Sequence, residues 1–358
     1  MGPPSAVRSR EPVLRIVIPA VGAGSPRNAW LLTGEPITLV DPGPATAAAY
    51  GAVRDALTAF GYSIRDVERI VVTHAHGGHA GLTARLQADS GARVLAHPDV
   101  LDALCDPLAA AARRVANERR AAVAAGVPEQ RASQLLDGMR ATLSAELADS
   151  PVGVPRAATA ALADGERLSA AHDDEARWTV VHTGDHCPDH IALTHALFGL
   201  AVTGDTIERH RPMPPDLAPS AAGGARPALL GAQMRAWRRL ALVAPTAWLP
   251  GHGERIRAPR VLVARRVAET RAALHATRRA LGDAPESAWR IAVRLDLVPR
   301  DDAAEDGAAL DATALRTIVA RLDWLVERGA ALRSADHGEW RFVAAPAGRS
   351  SAPRPRRR

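Results

Sequence analysis

Three histidines fall within six residues, His74, His76 and His79, directly after the run Val67 to Val72, which reads as a buried strand. Neutral imidazole is the commonest zinc donor, and a loop at a strand end can aim several rings at one point. Three further segments carry donors of the same kind. They are His182-Thr183-Gly184-Asp185-His186-Cys187-Pro188-Asp189-His190, then Thr203-Gly204-Asp205-Thr206, then Leu249-Pro250-Gly251-His252-Gly253. Neutral ligands leave a bound cation most of its charge, enough to bring the pKa of a coordinated water to about 7. A carboxylate beside such rings can bridge two metals about 3.5–4 Å apart, one presenting the nucleophile and the other polarising a carbonyl or phosphoryl oxygen.

The order and wording of the four segments resemble the metallo-β-lactamase-like hydrolase superfamily, whose first motif reads H-x-H-x-D-H. By position, the resemblance implies that His74, His76 and His186 hold a first metal, that Asp205 bridges, and that His79 and His252 serve a second. It places Asp205 and His252 at the reaction centre and makes zinc the expected metal, with manganese or iron as alternatives. The Asp41-Pro42-Gly43 turn after Ile37 to Val40 also resembles the family, in which an aspartate supports a ligand histidine from behind. The implied fold is α/β, an αββα metallo-β-lactamase-like sandwich.

Two motifs depart from the family pattern. Gly78 stands where the family has aspartate, so a second metal would rest on His79, His252 and a shared Asp205; one occupied position, or an easily lost second metal, is expected. In the second motif Asp185 and Asp189 stand where glycines are common. Both read most simply as exposed turn formers, with a substitute carboxylate ligand as the alternative. Cys187 reads as a small buried side chain beside a ligand.

The elements that must position these residues are legible from periodicity. Val13 to Pro19, Ala29 to Leu32 and Ile37 to Val40 read as strands starting an antiparallel sheet. Thr46 to Phe60 reads as a helix closed by Gly61, Ala80 to Ala88 as another, and Arg93 to Ala96 as a strand. Residues 98–150 form an Ala/Arg/Leu-rich helical insertion broken at Gly126-Val127-Pro128, either a lid over the site mouth or an outer brace. Strands are expected at Trp178 to His182, Ile191 to Thr194, Leu197 to Val202 and Trp248 to Leu249, and a helix at Gly231 to Val243. Beyond Pro259 the helices Val261 to Leu281, Ala288 to Leu295 and Ala314 to Arg328 precede a hairpin within Ala331 to Val343. Helices followed by a wing, and the wording Ala320 to Val326, resemble the winged-helix-like module of one superfamily branch. The expected organisation is thus 11–258 for the metallo-β-lactamase-like domain, 259–344 for the C-terminal module and 345–358 for a disordered basic tail.

With 358 residues the chain can bury a full core. Its longest apolar runs are too short to cross a bilayer, and Arg15 interrupts the one N-terminal candidate for a signal-peptide core, so a cytoplasmic location is expected. Two cysteines, Cys105 and Cys187, make no disulfide framework. The net charge of +6 owes much to Arg349, Arg354, Arg356, Arg357 and Arg358 in the tail; with no lysine in the chain, this reads as compositional bias. The expected activity is hydrolysis of an ester-like bond (thioester, ester or lactone) by metal-bound hydroxide, on a small-molecule or acyl-carrier-type substrate. The alternatives are a nuclease or phosphodiesterase, using Arg209, Arg211, Arg235, Arg238 and Arg239 on phosphates, and a non-catalytic metal-binding member marked by Gly78. An aromatic content of 3% leaves little for base stacking.

Overall fold

The structure is a computed structural model that describes residues 12–21, 25–148, 152–168, 178–210, 213–217, 228–298 and 312–346. The basic tail from residue 347 onward and Arg211 lie outside the described residues. The chain opens with β1 (Val13–Ile18), β2 (Arg27–Leu32), β3 (Thr38–Val40), α1 (Ala47–Ala59), β4 (Arg69–Val72), the single turn α2 (Gly77–Ala80), α3 (Thr83–Ser90) and β5 (Arg93–Ala96). Next come α4 (Pro98–Cys105), α5 (Pro107–Ala124), α6 (Glu129–Glu146) and two short strands, β6 (Thr159–Ala161) and β7 (Arg167–Leu168). Then follow β8 (Trp178–His182), β9 (Ile191–His195), β10 (Leu200–Gly204), α7 (Leu229–Val243) and β11 (Ala247–Pro250). The chain continues through α8 (Pro259–Ala280), β12 (Glu286–Ser287), α9 (Ala288–Arg294), α10 (Ala312–Glu327), β13 (Ala331–Asp336) and β14 (Glu339–Ala344).

Two sheets face each other. One has the order β1-β2-β3-β4-β5-β6, antiparallel through β3 and parallel beyond; the other has the order β11-β10-β9-β8-β7, in which only the β10–β11 pair is parallel. Alternation along the strands sends Trp30, Val40, Val71, Val180, Leu193 and Val202 into the layer between the sheets. The opposite face of the first sheet packs Ile16, Leu39 and Ile70 against Val53, Leu57, Leu86 and Leu101 of its helices. The outer face of the second sheet packs Ala201 and Trp248 against Trp237, Leu240, Leu262 and Val263 of α7 and α8. This is the αββα layering. Strands β4 and β10, one from each sheet, are followed by the loops whose donors His74, His76, His79 and Asp205 come together.

Trp248 carries a full side-chain volume into the α7–α8 layer and donates Nε1–H to the Ala244 carbonyl at 3.0 Å. Trp248→Ala is expected to cost about 3–5 kcal/mol of unfolding free energy, through lost contacts and the cavity left behind. Urea denaturation measures it; a loss under about 1 kcal/mol would mean that this layer repacks freely.

Some elements differ from those expected. The helix expected at Ala80 to Ala88 is α3, which begins only at Thr83 and runs to Ser90, and the single turn α2 within the histidine loop precedes it. Residues 196–199 form the β9–β10 turn, so β10 begins only at Leu200; Gly199, at φ +61°, supplies the left-handed position that closes it. Strands β6, β7 and β12 have two or three residues each and too little pattern to be read from sequence. Helix α8 serves two cores, Leu262 to Val267 packing on the second sheet and Leu274 on the C-terminal helices. Of the residues expected as either lid or brace, some in α5 and α6 line a cavity that His76 also lines, while Ala121, Ala125 and Leu135 pack with Trp289, Ile318 and Leu322. Among the described residues no helix is long and apolar enough to cross a membrane.

Candidate metal centre

Donor atoms of His74, His76, His186 and Asp205 lie within 4.8 Å of one another, and the same holds for His79, Asp205 and His252. All six sequence-derived candidates are therefore brought together, with Asp205 common to both groups. Its Oδ2 lies 3.7 Å from His74 Nε2 and 3.8 Å from His186 Nε2; its Oδ1 lies 3.3 Å from His79 Nε2 and 3.7 Å from His252 Nε2. Glycines make this crowding possible: a Cβ on Gly251 would come within 2.6 Å of Asp205 Oδ1 and 2.7 Å of the His79 ring.

The surroundings choose which nitrogen each ring presents. Asp41, held at φ +53°, accepts from the Thr73 amide at 2.8 Å and the Thr73 hydroxyl at 2.7 Å. The hydroxyl oxygen is thereby turned to accept from His74 Nδ1–H at 2.9 Å, leaving Nε2 buried without a partner among the described residues. His252 Nδ1–H is engaged by the Pro26 carbonyl at 3.1 Å, which leaves its Nε2 toward Asp205. Asp216 Oδ2 takes His76 Nε2–H at 2.6 Å, and His76 Nδ1 then stands 3.2 Å from His186 Nε2. His190 supports the centre without belonging to it: Thr183 fixes its Nδ1 at 2.7 Å, and its Nε2 accepts the Asp205 amide at 3.2 Å.

The electrostatics suit a cation beside His74 and His76. Burial, then the charges of His79 and His76, hold His74 well below the usual imidazole value, and burial with Arg114 pushes His76 down to about 3 despite Asp216. Both rings thus keep a free lone pair at neutral pH. Burial opposes the charged form of His79 as well, but Asp205 and Asp41 outweigh it and raise the ring to about 10. Burial likewise favours the neutral form of Asp205, yet the adjacent His79 and His252 hold its carboxyl well below the usual range. Orphaned buried atoms on His74, His79, His186 and Asp205 are the mark of a donor set shaped for an ion.

Asp185 is fully buried, contrary to the expectation of an exposed turn residue; it sits 3.6 Å from His190 Nδ1 and takes the Thr206 hydroxyl at 3.4 Å, outside both donor groups. The carboxylate of Asp185 ties its turn to the loop after β10 through the Thr206 hydroxyl. Asp189 is partly exposed and lines the neighbouring cavity, and Cys187 is buried, its thiol pushed well up by that burial. Neither aspartate takes the place left by Gly78. That place holds the guanidinium of Arg27: a Cβ on Gly78 would overlap Arg27 Nε, Cζ and Nη2. Sequence reasoning missed Arg27, its partner Glu146 at 2.7 Å, and Asp216. A glycine in a motif that otherwise demands a carboxylate was the one signal, and it pointed to a replacement without saying which residue makes it.

A cavity of about 440 Å³ opens beside His76 between the histidine loop and α4–α6. Its wall is more apolar than polar, with Ala80, Leu104, Leu143 and Val154 on the apolar side, and it also carries Arg113, Arg114, Asn117 and the carboxylates Asp99, Glu118, Asp189 and Asp216. The arginines considered for phosphate contact are less well placed. Arg235, Arg238 and Arg239 are carried by α7, and Arg239 is paired with Asp164 at 3.1 Å.

Known proteins resemble this chain in sequence and in fold. The family model described as "Metallo-beta-lactamase superfamily" matches residues 22–252. The chain is similar to the probable metallo-hydrolase YqjP of Bacillus subtilis (strain 168), 27% identical over 80% of this chain and 85% of that protein. Among solved structures, the metallo-beta-lactamase family protein TTHA1429 from Thermus thermophilus superposes with a TM-score of 0.71 at 25% identity, covering 93% of this chain and 98% of that one. A beta-lactamase domain protein from Burkholderia ambifaria shares the fold, with a TM-score of 0.70 at 23% identity over 93% of each chain.

Proposed function

Because the chain belongs to the metallo-beta-lactamase superfamily, we propose that it is a metal-dependent hydrolase of an ester-like bond in a thioester, carboxylic ester or lactone. The observation that carries this reading is that His76 belongs both to the four-donor group and to the wall of the apolar cavity, so an acyl group seated in the cavity lies next to the metal position. His74, His76, His186 and Asp205 would hold the ion; His79 and His252, on the other side of Asp205, would form the second position. A divalent cation, zinc first and manganese or iron otherwise, supplies Lewis acidity there and lets water ionise near neutral pH.

This chain's own residues do the rest. Asp205, ionised among the imidazoles of His74, His79, His186 and His252, balances the cation's charge and anchors both donor groups. His252 faces Asp205 with Nε2 at the outer side of the centre and is placed to exchange a proton with a reacting group. The apolar wall excludes water from the acyl side, and Arg114 and Asn117 offer polar contacts to a carrier portion. We further read 11–258 as the hydrolase domain, 98–150 as its helical insertion and 259–344 as a winged-helix-like module, supported by the order α9, α10, β13, β14 and by a core around Trp289, Ile318 and Phe342 that these elements share with α5 and α6. A cytoplasmic location stays part of the proposal.

The test combines elemental analysis with a panel of thioester, ester, lactone and phosphodiester substrates. We expect near one metal equivalent, turnover of at least one acyl substrate, loss of turnover on chelation and recovery with zinc or manganese. Cleavage of phosphodiesters alone would favour the nuclease reading, and a metal-loaded protein inert on the whole panel would favour a binding protein.

A further inference from the structure

The end of α6 is wedged into the histidine loop, and three glycines let it in. A Cβ on Gly81 would stand 2.8 Å from the Glu146 carbonyl, one on Gly77 would stand 3.0 Å from Glu146 Oε2, and one on Gly78 would overlap the Arg27 guanidinium. The Glu146 carbonyl also accepts the Ala45 amide at 2.7 Å, which fixes its place against the loop. Glu146 then holds Arg27 through Nη2 at 2.7 Å, with both side chains largely buried. Arg27 Nε and Nη1 are buried with no hydrogen-bond partner among the described residues. Buried donors on a charged group are costly to leave unmade, so a pair of them beside a reaction centre calls for an acceptor from outside the protein. The backbone places the residue there: Arg27 bridges His252 as an isolated β-pair, and the next amide, Asn28, donates to the Gly251 carbonyl at 2.8 Å.

We propose that Arg27 stands in for a second metal: a fixed guanidinium, admitted by Gly78 and held by Glu146, that binds an oxyanion of the substrate beside a single metal position. The inference rests on the reading of His74, His76, His186 and Asp205 as that position. A guanidinium suits carboxylate-type oxygens, is never deprotonated near neutral pH and, unlike a labile cation, cannot be lost to a chelator. The oxyanion is either a carboxylate carried by the substrate or the charge that develops on the ester carbonyl during attack.

Zinc content and inorganic phosphate binding, the latter by calorimetry, are measured on the full chain and on Arg27→Gln, Arg27→Gln/Glu146→Gln and Arg27→Ala/Gly78→Asp. The double glutamine variant guards against misfolding from an unpaired Glu146. We expect about one zinc in the natural protein and in both glutamine variants, with phosphate bound at least tenfold more weakly by the variants. Arg27→Ala/Gly78→Asp should take up a second zinc. Unchanged phosphate affinity in the glutamine variants, or two tightly held zinc ions in the natural protein, overturns the proposal. A natural protein that binds no zinc overturns the metal reading instead; phosphate binding that is lost with Arg27 would still assign the anion site. Kinetics separate the two sources of charge. A rise in KM confined to substrates bearing a carboxylate identifies a bound carboxylate, and a fall in kcat on neutral esters identifies the developing oxyanion.

Discussion

Asp205→Ala is expected to bring metal content well below one equivalent and to lower hydrolysis by ~100-fold or more, at or beyond the upper end of what loss of a supporting group costs a metal site. Asp205 is the one carboxylate shared by the two donor groups, and each of its oxygens faces two imidazoles at 3.3–3.8 Å. Without it the rings keep only Asp41, 3.5 Å from His79 Nδ1 on the side of that ring away from Asp205, to balance a divalent charge. Its backbone position is secured independently by His190 and by Trp237, whose Nε1 donates to the Thr206 carbonyl at 2.7 Å, so the variant should fold. Elemental analysis and circular dichroism decide the matter together: a folded variant with full metal content and full activity would remove Asp205 from the centre.

The second large effect is expected from Asp216→Asn, a residue that touches no proposed metal position. Its carboxylate receives His76 Nε2–H at 2.6 Å and Arg316 Nη1 at 2.7 Å, with Arg114 4.0 Å away, and its amide donates to the His186 carbonyl at 2.6 Å. Burial alone would favour a neutral acid, but Arg316, then His76 and Arg114, hold Asp216 well below the usual range. An ionised acceptor on Nε2 makes Nδ1 the lone pair that faces His186, and it raises the basicity of that nitrogen. Metal affinity is expected to fall about 10–100-fold in the variant with the fold retained, as competition with a chromophoric chelator would show. Arg316 comes from α10 and also reaches Glu118 of α5 at 3.1 Å, so the C-terminal helices and the insertion both bear on a ligand of the proposed site. Unaltered affinity in Asp216→Asn would mean that His76 is oriented by packing alone.

What could be read without coordinates was what the chain encodes locally. The strand ending in His74, His76 and His79, the loop bearing His186, the strand leading to Asp205 and the turn at His252 each sit on a single element with its own pattern. The wording of those elements was enough to bring all six candidate donors into two overlapping groups. Asp185 was misread because its neighbours in sequence look like a turn, and a buried turn has no local signature that separates it from one in water.

The sequence by itself, through its family resemblance, therefore determined the αββα scaffold, the six candidate donors and the fact that Gly78 breaks their pattern. Tertiary structure alone decided what fills the break and what orients the rings. Arg27 meets Glu146 across 119 positions and His76 meets Asp216 across 140. Neither partner stands out among 45 arginines and 39 acids, because an ion pair depends on where two elements are packed and leaves no periodic trace in either. Burial then turns these distant charges into local forces: out of water, a guanidinium or a carboxylate a few ångströms away sets which nitrogen carries a proton and where an anion can rest.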